Sequence, residues 1–276
     1  MIKIYFIVVN YNNFGFTKSL LASLMNQDGV NVDFTIHCVV VNNSSKESDS
    51  KLLKSHSQSL DFVEVIDCPN NPGYFGGLNH GLNMIEDADK RFVVIGNNDL
   101  EFDKNFCQEL LSSKNLRPHN TQAICPDVVT PEGYLQNPHI PNRISGFRRF
   151  QFDVYFSNYY CAVILGFIKS SLLKMNYTSK YRHQNKSLPR EIHMGVGACY
   201  VLTSAFFEHS SQLNFPTFLY GEEAFLSEQI HSNGGILYFD PSLKVLHAES
   251  ATLSLLPKRQ TYEYARAGYP LYRDLM

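Results

Sequence analysis

Apolar strand-length runs alternate with helix-length periodic segments over the first ~110 residues, and this predicts an α/β fold with a mostly parallel sheet flanked by helices. Two further observations support it. The runs are near-continuously apolar, as strands buried on both faces are. The chain has 276 residues and 44% hydrophobic content, enough for one sizeable core.

The elements follow in order. Lys3–Val9 is a first strand. Met1-Ile2-Lys3 leads straight into it and the run stops at Asn10, which reads as a strand and not as a signal peptide. Phe16–Met25 carries Leu20, Leu21, Leu24 and Met25 at helical spacing, with Asn12 or Asn13 available as a cap. Thr35–Val41 is the next strand, Lys46–Ser59 a polar helix, and Phe62–Ile66 a third strand. Gly77–Ile85 reads as a helix with Leu78, Leu82 and Ile85 on one face. Phe92–Ile95 is the fourth strand and Lys104–Leu111 another helix.

The second half is more irregular. Asn137–Phe150, with two prolines and three arginines, reads as a loop, and polar, basic Asn176–Arg190 as a mobile segment. Cys161–Leu173 between them is apolar. Gly195–Leu202 and Gly235–Phe239 look like strands, and Glu222–Asn233 like a helix ended by Gly234-Gly235. With no clear boundary, one domain over 1–276 is expected.

Composition excludes several classes. A net charge of −2 and a pI near 6.5 argue against nucleic-acid binding. Cys38, Cys68, Cys107, Cys125, Cys161 and Cys199 are scattered without a Cys-x-x-Cys pair, so buried free thiols are expected, not a disulfide framework or a zinc site. Cys161–Ile168 is too short to span a bilayer. A cytoplasmic protein is expected, with peripheral contact at the inner face of the cell membrane left open.

Three strand ends carry polar clusters: Asn10-Tyr11-Asn12-Asn13, Asn42-Asn43-Ser44-Ser45 and Asn97-Asn98-Asp99. In a parallel sheet all three emerge at one edge, where ligands bind. A carboxylate with neighbouring amide oxygens suits a hard cation, Mg²⁺ or Mn²⁺, neutralising a phosphate. In isolation, an Asn-Asp turn closing a strand is the better account of Asn97-Asn98-Asp99. The Gly-rich stretch Asn70–Gly81 opens a helix but lacks Gly-x-Gly-x-x-Gly spacing, so it is no dinucleotide fingerprint.

Order and spacing together resemble glycosyltransferase family 2, and especially its rhamnosyltransferase-like branch. The matching stretches are Val9-Asn10-Tyr11-Asn12, Asn42-Asn43-Ser44-Ser45, and Asn71-Pro72-Gly73-Tyr74-Phe75-Gly76-Gly77-Leu78-Asn79-His80-Gly81. They continue with Asn97-Asn98-Asp99, Gly197-Ala198, Tyr220-Gly221-Glu222-Glu223 and His247-Ala248-Glu249-Ser250. The resemblance covers about Ile2 to Ser250.

It implies a GT-A fold with a nucleotide-sugar-binding half (1–112), an acceptor and catalytic half (113–250) and a C-terminal extension (251–276). Asn10 and Tyr11 would line the nucleobase pocket and Asn42 would contact the base, although the family usually has Asp there. Asn79, Asn97 and Asn98 would lie by the donor. Asp99 would coordinate Mn²⁺ or Mg²⁺ bridging the diphosphate, with His247 as a further ligand. Glu222-Glu223 stands for the family's Glu-Asp pair, which makes Glu223 the general base. One carboxylate implies loose, donor-dependent metal binding.

The implied activity is an inverting, hexosyltransferase-like reaction moving a sugar from a UDP- or dTDP-sugar to a glycan or lipid-linked glycan, as in O-antigen or capsule synthesis. A sugar nucleotidyltransferase is disfavoured because Asn10–Gly15 holds no Lys or Arg. A non-catalytic sugar-nucleotide or glycan-binding protein on the same scaffold is the alternative. On the acceptor side, Arg143, Arg148 and Arg149 lie with Phe147, Phe150 and Phe152, and Lys258, Arg259, Arg266 and Arg273 alternate with Tyr262, Tyr264, Tyr269 and Tyr272. Such segments suit a membrane interface, a homo-oligomer contact or plain solvated surface.

Overall fold

A computed structural model describes residues 1–86, 91–176, 188–216, 220–248 and 259–276, without the side chains of 114, 169–176 and 260. Nine strands form one sheet: β1 (Ile2–Asn10), β2 (Phe34–Asn42), β3 (Val63–Asp67), β4 (Phe92–Asn97), β5 (Leu100–Phe102), β6 (Thr121–Val129), β7 (Arg190–Ile192), β8 (Cys199–Thr203) and β9 (Ile236–His247). The order is β3-β2-β1-β4-β8-β6-β9-β5, with β7 also on β9. Pairings β1–β2, β1–β4, β2–β3 and β6–β9 are parallel; β8, β5 and β7 run antiparallel to their neighbours. Nine α-helices and a 3-10 turn (Ser113–Leu116) are found among the described residues: α1 (Phe14–Met25), α2 (Glu47–Ser57), α3 (Gly73–Leu82), α4 (Phe106–Ser112), α5 (Gly146–Ser157), α6 (Tyr159–Asn176), α7 (Ser204–Phe207), α8 (Glu222–Ser232) and α9 (Arg259–Tyr272).

The strands are apolar throughout because both faces of the sheet are covered. On β1, Ile4, Phe6 and Val8 enter the core beneath α1 and α4, whereas Tyr5, Ile7 and Val9 enter the opposite core beneath α3 and α8. Period-2 alternation thus places successive side chains in two different apolar cores. The first of these receives Leu20, Leu21, Leu24, Phe106 and Leu110; the second receives Phe75, Leu78, Leu82, Leu226 and Ile230. Each such side chain stabilises the fold by about 1.5–3 kcal/mol relative to exposure.

Several boundaries differ from expectation. α3 starts at Gly73, four residues early, inside the Gly-rich stretch expected to open it. A Cβ on Gly81 would lie 2.3 Å from Ile7 Cγ2, and one on Gly77 3.0 Å from Val9 Cγ2. Those two glycines bring α3 against the sheet; they do not cradle a phosphate. Asn13 holds the N-cap position of α1 but makes no side-chain cap bond: Asp49 Oδ1 accepts from Phe14 N at 2.8 Å, while Asn12 Oδ1 accepts from Lys46 N. β8 begins at Cys199, not Gly195, because the backbone leaves the sheet where Gly195 is wedged against Cys125 and Tyr200. β9 runs on to His247 past an irregularity at Asp240.

The stretch read as a loop at Asn137–Phe150 ends in α5, whose Ser145 Oγ accepts from Arg148 N. Apolar Cys161–Leu173 lies within α6, and most of Asn176–Arg190 falls outside the described residues. All six cysteines are free thiols, five of them buried.

Candidate active site

Parallel pairing sets Asn10 opposite Asn42 and Val9 opposite Asn97, so the three polar strand ends share one edge. Asn10 is fully buried and its carboxamide is occupied within the protein. Its Nδ2 donates to Ser45 Oγ (3.0 Å) and Asp49 Oδ2 (2.8 Å), and its Oδ1 accepts from Thr17 Oγ1 (2.7 Å). Asn98 Nδ2 joins this hub at Thr17 Oγ1 (2.9 Å) and Asn10 Oδ1 (3.3 Å). Both residues knit the edge together beneath the surface. Tyr11 is instead half exposed above it.

Asn42 is buried and donates through Nδ2 to Ser50 Oγ (2.9 Å) and Asp67 Oδ1 (2.8 Å). Its Oδ1 is buried without a partner. Asp67 also accepts from Lys54 Nζ at 2.6 Å, and that bond, with the Asn42 bond, holds its carboxyl below the usual carboxylate range. A carboxylate at the end of β3 therefore stands beside the position where the family pattern has one at the end of β2. Asn79 lies away from this cluster: its carboxamide makes a two-way clasp with the Leu213 backbone, at 2.9 and 2.8 Å.

Asp99 and His247 are brought together from 148 positions apart in sequence because β5 pairs with the end of β9, Leu100 opposite His247. Ala248 N donates to Asp99 O at 2.8 Å. Asp99 Oδ2 lies 3.2 Å from His247 Nε2, and both side chains are about nine-tenths buried. Gln136 Oε1 is 2.8 Å from His247 Nδ1. A neutral imidazole donating from Nδ1 to Gln136 would turn an Nε2 lone pair toward the carboxylate, whereas a protonated ring would donate from Nε2 to Asp99. Asp99 Oδ1 is buried with no partner. With the imidazole neutral, a carboxylate and a ring nitrogen would face each other beside the unpartnered carboxylate oxygen, an arrangement that suits a divalent cation, with Gln136 orienting the ring. Asn97 Nδ2 lies 3.4 Å from the same Nε2. Among the described residues no third His, Cys, Asp or Glu completes the set, so further ligands must come from a substrate or water.

Glu222 and Glu223 form the first turn of α8, entered through Tyr220 and Gly221, both at positive φ (68° and 97°). A Cβ on Gly221 would meet the Tyr272 ring at 2.4 Å, so that residue must be Gly for both reasons. Glu222 is buried, and burial first, then repulsion from Glu223, pushes its carboxyl up to about 7. Half-buried Glu223 accepts from Gly197 N through Oε1 at 3.2 Å. Gly197 O accepts from Tyr74 Oη (3.2 Å), and Ala198 O accepts from Asn97 N (3.0 Å). Gly197-Ala198 thus ties the Asp99 strand end to Glu223. Burial, reinforced by the charges of nearby acidic groups, raises the Tyr74 hydroxyl well above its ordinary value.

Sequence reasoning missed Gln136, Asp67 and Asp49, which stand in no recognised pattern. Tyr74 carried a signal: it replaces the Phe of the family pattern, and its added hydroxyl makes the Gly197 contact.

The family model described as Glycosyl transferase family 2 matches residues 5–208. The chain belongs to glycosyltransferase family 2. Solved structures agree on a GT-A fold. GalNAc-T7 with UDP, GalNAc and Mn²⁺ superposes with a TM-score of 0.61 at 12% identity, over 91% of this chain and 45% of that one. S. aureus TarS gives 0.56 at 14% identity, over 91% and 37%. TarS 1–349 in complex with UDP gives 0.54 at 15% identity, over 91% and 61%. This family member thus spans less than two thirds of each of those chains. No curated protein sequence matches it. Among the described residues no helix is long and apolar enough to cross a membrane.

Proposed function

We propose that this family 2 glycosyltransferase inverts configuration as it moves a sugar from a UDP- or dTDP-sugar to a glycan or lipid-linked glycan, in the manner of the rhamnosyltransferase-like branch. One observation carries the proposal: Asp99 and His247 face each other with an unpartnered carboxylate oxygen, across Tyr74 and Gly197 from the Glu222–Glu223 pair. UDP in GalNAc-T7 and in TarS 1–349, and Mn²⁺ in GalNAc-T7, support a nucleoside-diphosphate donor and a divalent ion.

In this reading residues 1–112 hold the donor. Tyr11 stacks on the base, and Asn42 with Asp67 reads its edge. Asn10, Asn79 and Asn98 act by fixing the loops that carry these groups. Asp99 and His247 would hold Mg²⁺ or Mn²⁺, which would supply Lewis-acid neutralisation of the departing diphosphate. Glu223, its carboxyl oriented by Gly197 N–H, takes the proton from an acceptor hydroxyl. As that O–C1 bond forms, the C1–O bond to phosphate breaks on the opposite face, through an oxocarbenium-like transition state. Glu222, able to stay protonated near neutrality, spares Glu223 a second adjacent negative charge.

Thermal-shift titration with UDP- and dTDP-sugars tests the donor assignment. The expected result is a Tm rise that requires nucleotide and Mn²⁺ together and disappears in Asp99→Asn. A rise from Mn²⁺ alone, or an equal rise in Asp99→Asn, would refute the metal site.

A further inference from the structure

The helical layer formed by α5, α6 and α9 carries a feature that donor binding and transfer do not use. On α6, Tyr160, Ile164, Phe167 and Ile168 recur at helical spacing and are 51–72% exposed. They form one stripe on the side of the helix opposite buried Ala162. On α5, Phe147 and Phe150 are 73% and 61% exposed, while Phe152 and Phe156 turn inward. Six large apolar side chains left in water on two consecutive helices mark an interaction surface.

Charge identifies the occupant. Between 143 and 176 the sequence holds Arg143, Arg148, Arg149, Lys169 and Lys174 against one acid, Asp153. The rest of the chain holds 19 basic and 25 acidic residues. Positive charge is thus concentrated in the stretch of sequence that carries the apolar stripe. Exposed Arg148 lies over the Phe152 ring and exposed Arg259 over the Tyr159 ring, so cations flank the stripe. A helix with apolar and aromatic residues on one side and cations beside them is built for an anionic bilayer interface. A second copy of the chain would bring like charges together across a two-fold axis, which disfavours self-association through this face.

We propose that the exposed α5–α6 face docks the protein on an anionic phospholipid surface. Tyr272 of α9 packs on Gly221, immediately before Glu222 and Glu223, so the docked layer adjoins the carboxylates of the acceptor side.

Flotation with phosphatidylglycerol–phosphatidylcholine vesicles, and with pure phosphatidylcholine, tests this in the absence of any sugar substrate. Binding is expected to anionic vesicles only, and to weaken as salt rises. The double variant Ile164→Glu/Phe167→Glu should lose about ten-fold or more in the bound-to-free ratio, with an unchanged far-UV spectrum because both positions are exposed. Arg148→Glu should lose a few-fold, and only at low salt. Failure of the wild type to float, or equal flotation of the double variant, overturns the proposal. So does concentration-dependent self-association in light scattering that the double variant abolishes, since a second copy would then be the occupant. Wild-type flotation without donor turnover would leave docking intact and count against the transferase reading alone.

Discussion

The carboxyl edge of β1, β2 and β4 and the α5–α6–α9 layer are both rich in groups that suggest ligand chemistry, yet they use them oppositely. At the strand edge the amides and carboxylates are buried and bonded to one another: Asn10 to Asp49, Asn42 to Asp67. Three oxygens there, Asn42 Oδ1, Asn43 Oδ1 and Asp99 Oδ1, are left over. In the helical layer the basic–aromatic pattern of α9 turns inward. Tyr262 donates to Tyr155 O, Tyr269 to Asp153, and Arg273 clamps Asp153 at 2.6 and 2.7 Å. The strand edge leaves several polar atoms unspent in an otherwise satisfied network, whereas in the helical layer only Arg149 Nε is left over among the described residues.

Substitutions at the two regions should therefore separate function from folding. The largest effect is expected from Asp99→Asn, about 10³-fold in kcat/KM with little change in Tm, measured as nucleoside-diphosphate release with Mn²⁺. A proportionate loss of stability would make Asp99 structural. Next, Tyr262→Ala removes a buried ring stacked among Phe156, Tyr155 and Tyr159. About 3 kcal/mol of stability should go, read by urea denaturation, while donor affinity holds.

A smaller effect isolates Glu222. Its folded value is raised from 4.5 to about 7, so its contribution is fully present below pH 4.5 and is lost as pH rises through 7. Glu222→Gln cannot ionise and should be more stable than wild type by about 2 kcal/mol at pH 8, with almost no gain at pH 4. Equal Tm profiles would show the carboxyl to be better solvated than the structure has it.

The smallest is Asn42→Asp. Restoring the family residue would set a second carboxylate against Asp67, where Asn42 Nδ2 now donates at 2.8 Å. About 1 kcal/mol should be lost at pH 8 and recovered on acidification toward pH 4, followed by Tm. A gain in stability would mean the two positions are not coupled.

Legibility followed the same divide. Each strand-end cluster abuts an apolar run in sequence, so its place at the edge could be read from neighbours. Asp99 with His247, and Glu223 with Gly197, needed the β5–β9 pairing and family spacing, since nothing local joins residues so far apart. Gln136 and Asp67 gave no signal because their roles exist only through a partner on another strand. The glycines of α3 showed only a helix start in sequence; that Gly81 is small because Ile7 lies beneath it needed the packing. On α9, spacing showed alternating Tyr and Arg but not which face the core would claim.

The central claim is that Glu223 activates the acceptor. With the donor identified by thermal shift, an acceptor and saturating Mn²⁺, transfer by Glu223→Gln should fall by about 10³-fold in kcat while the donor Kd, measured by calorimetry, stays at its wild-type value. Near-wild-type kcat in that variant would contradict the account.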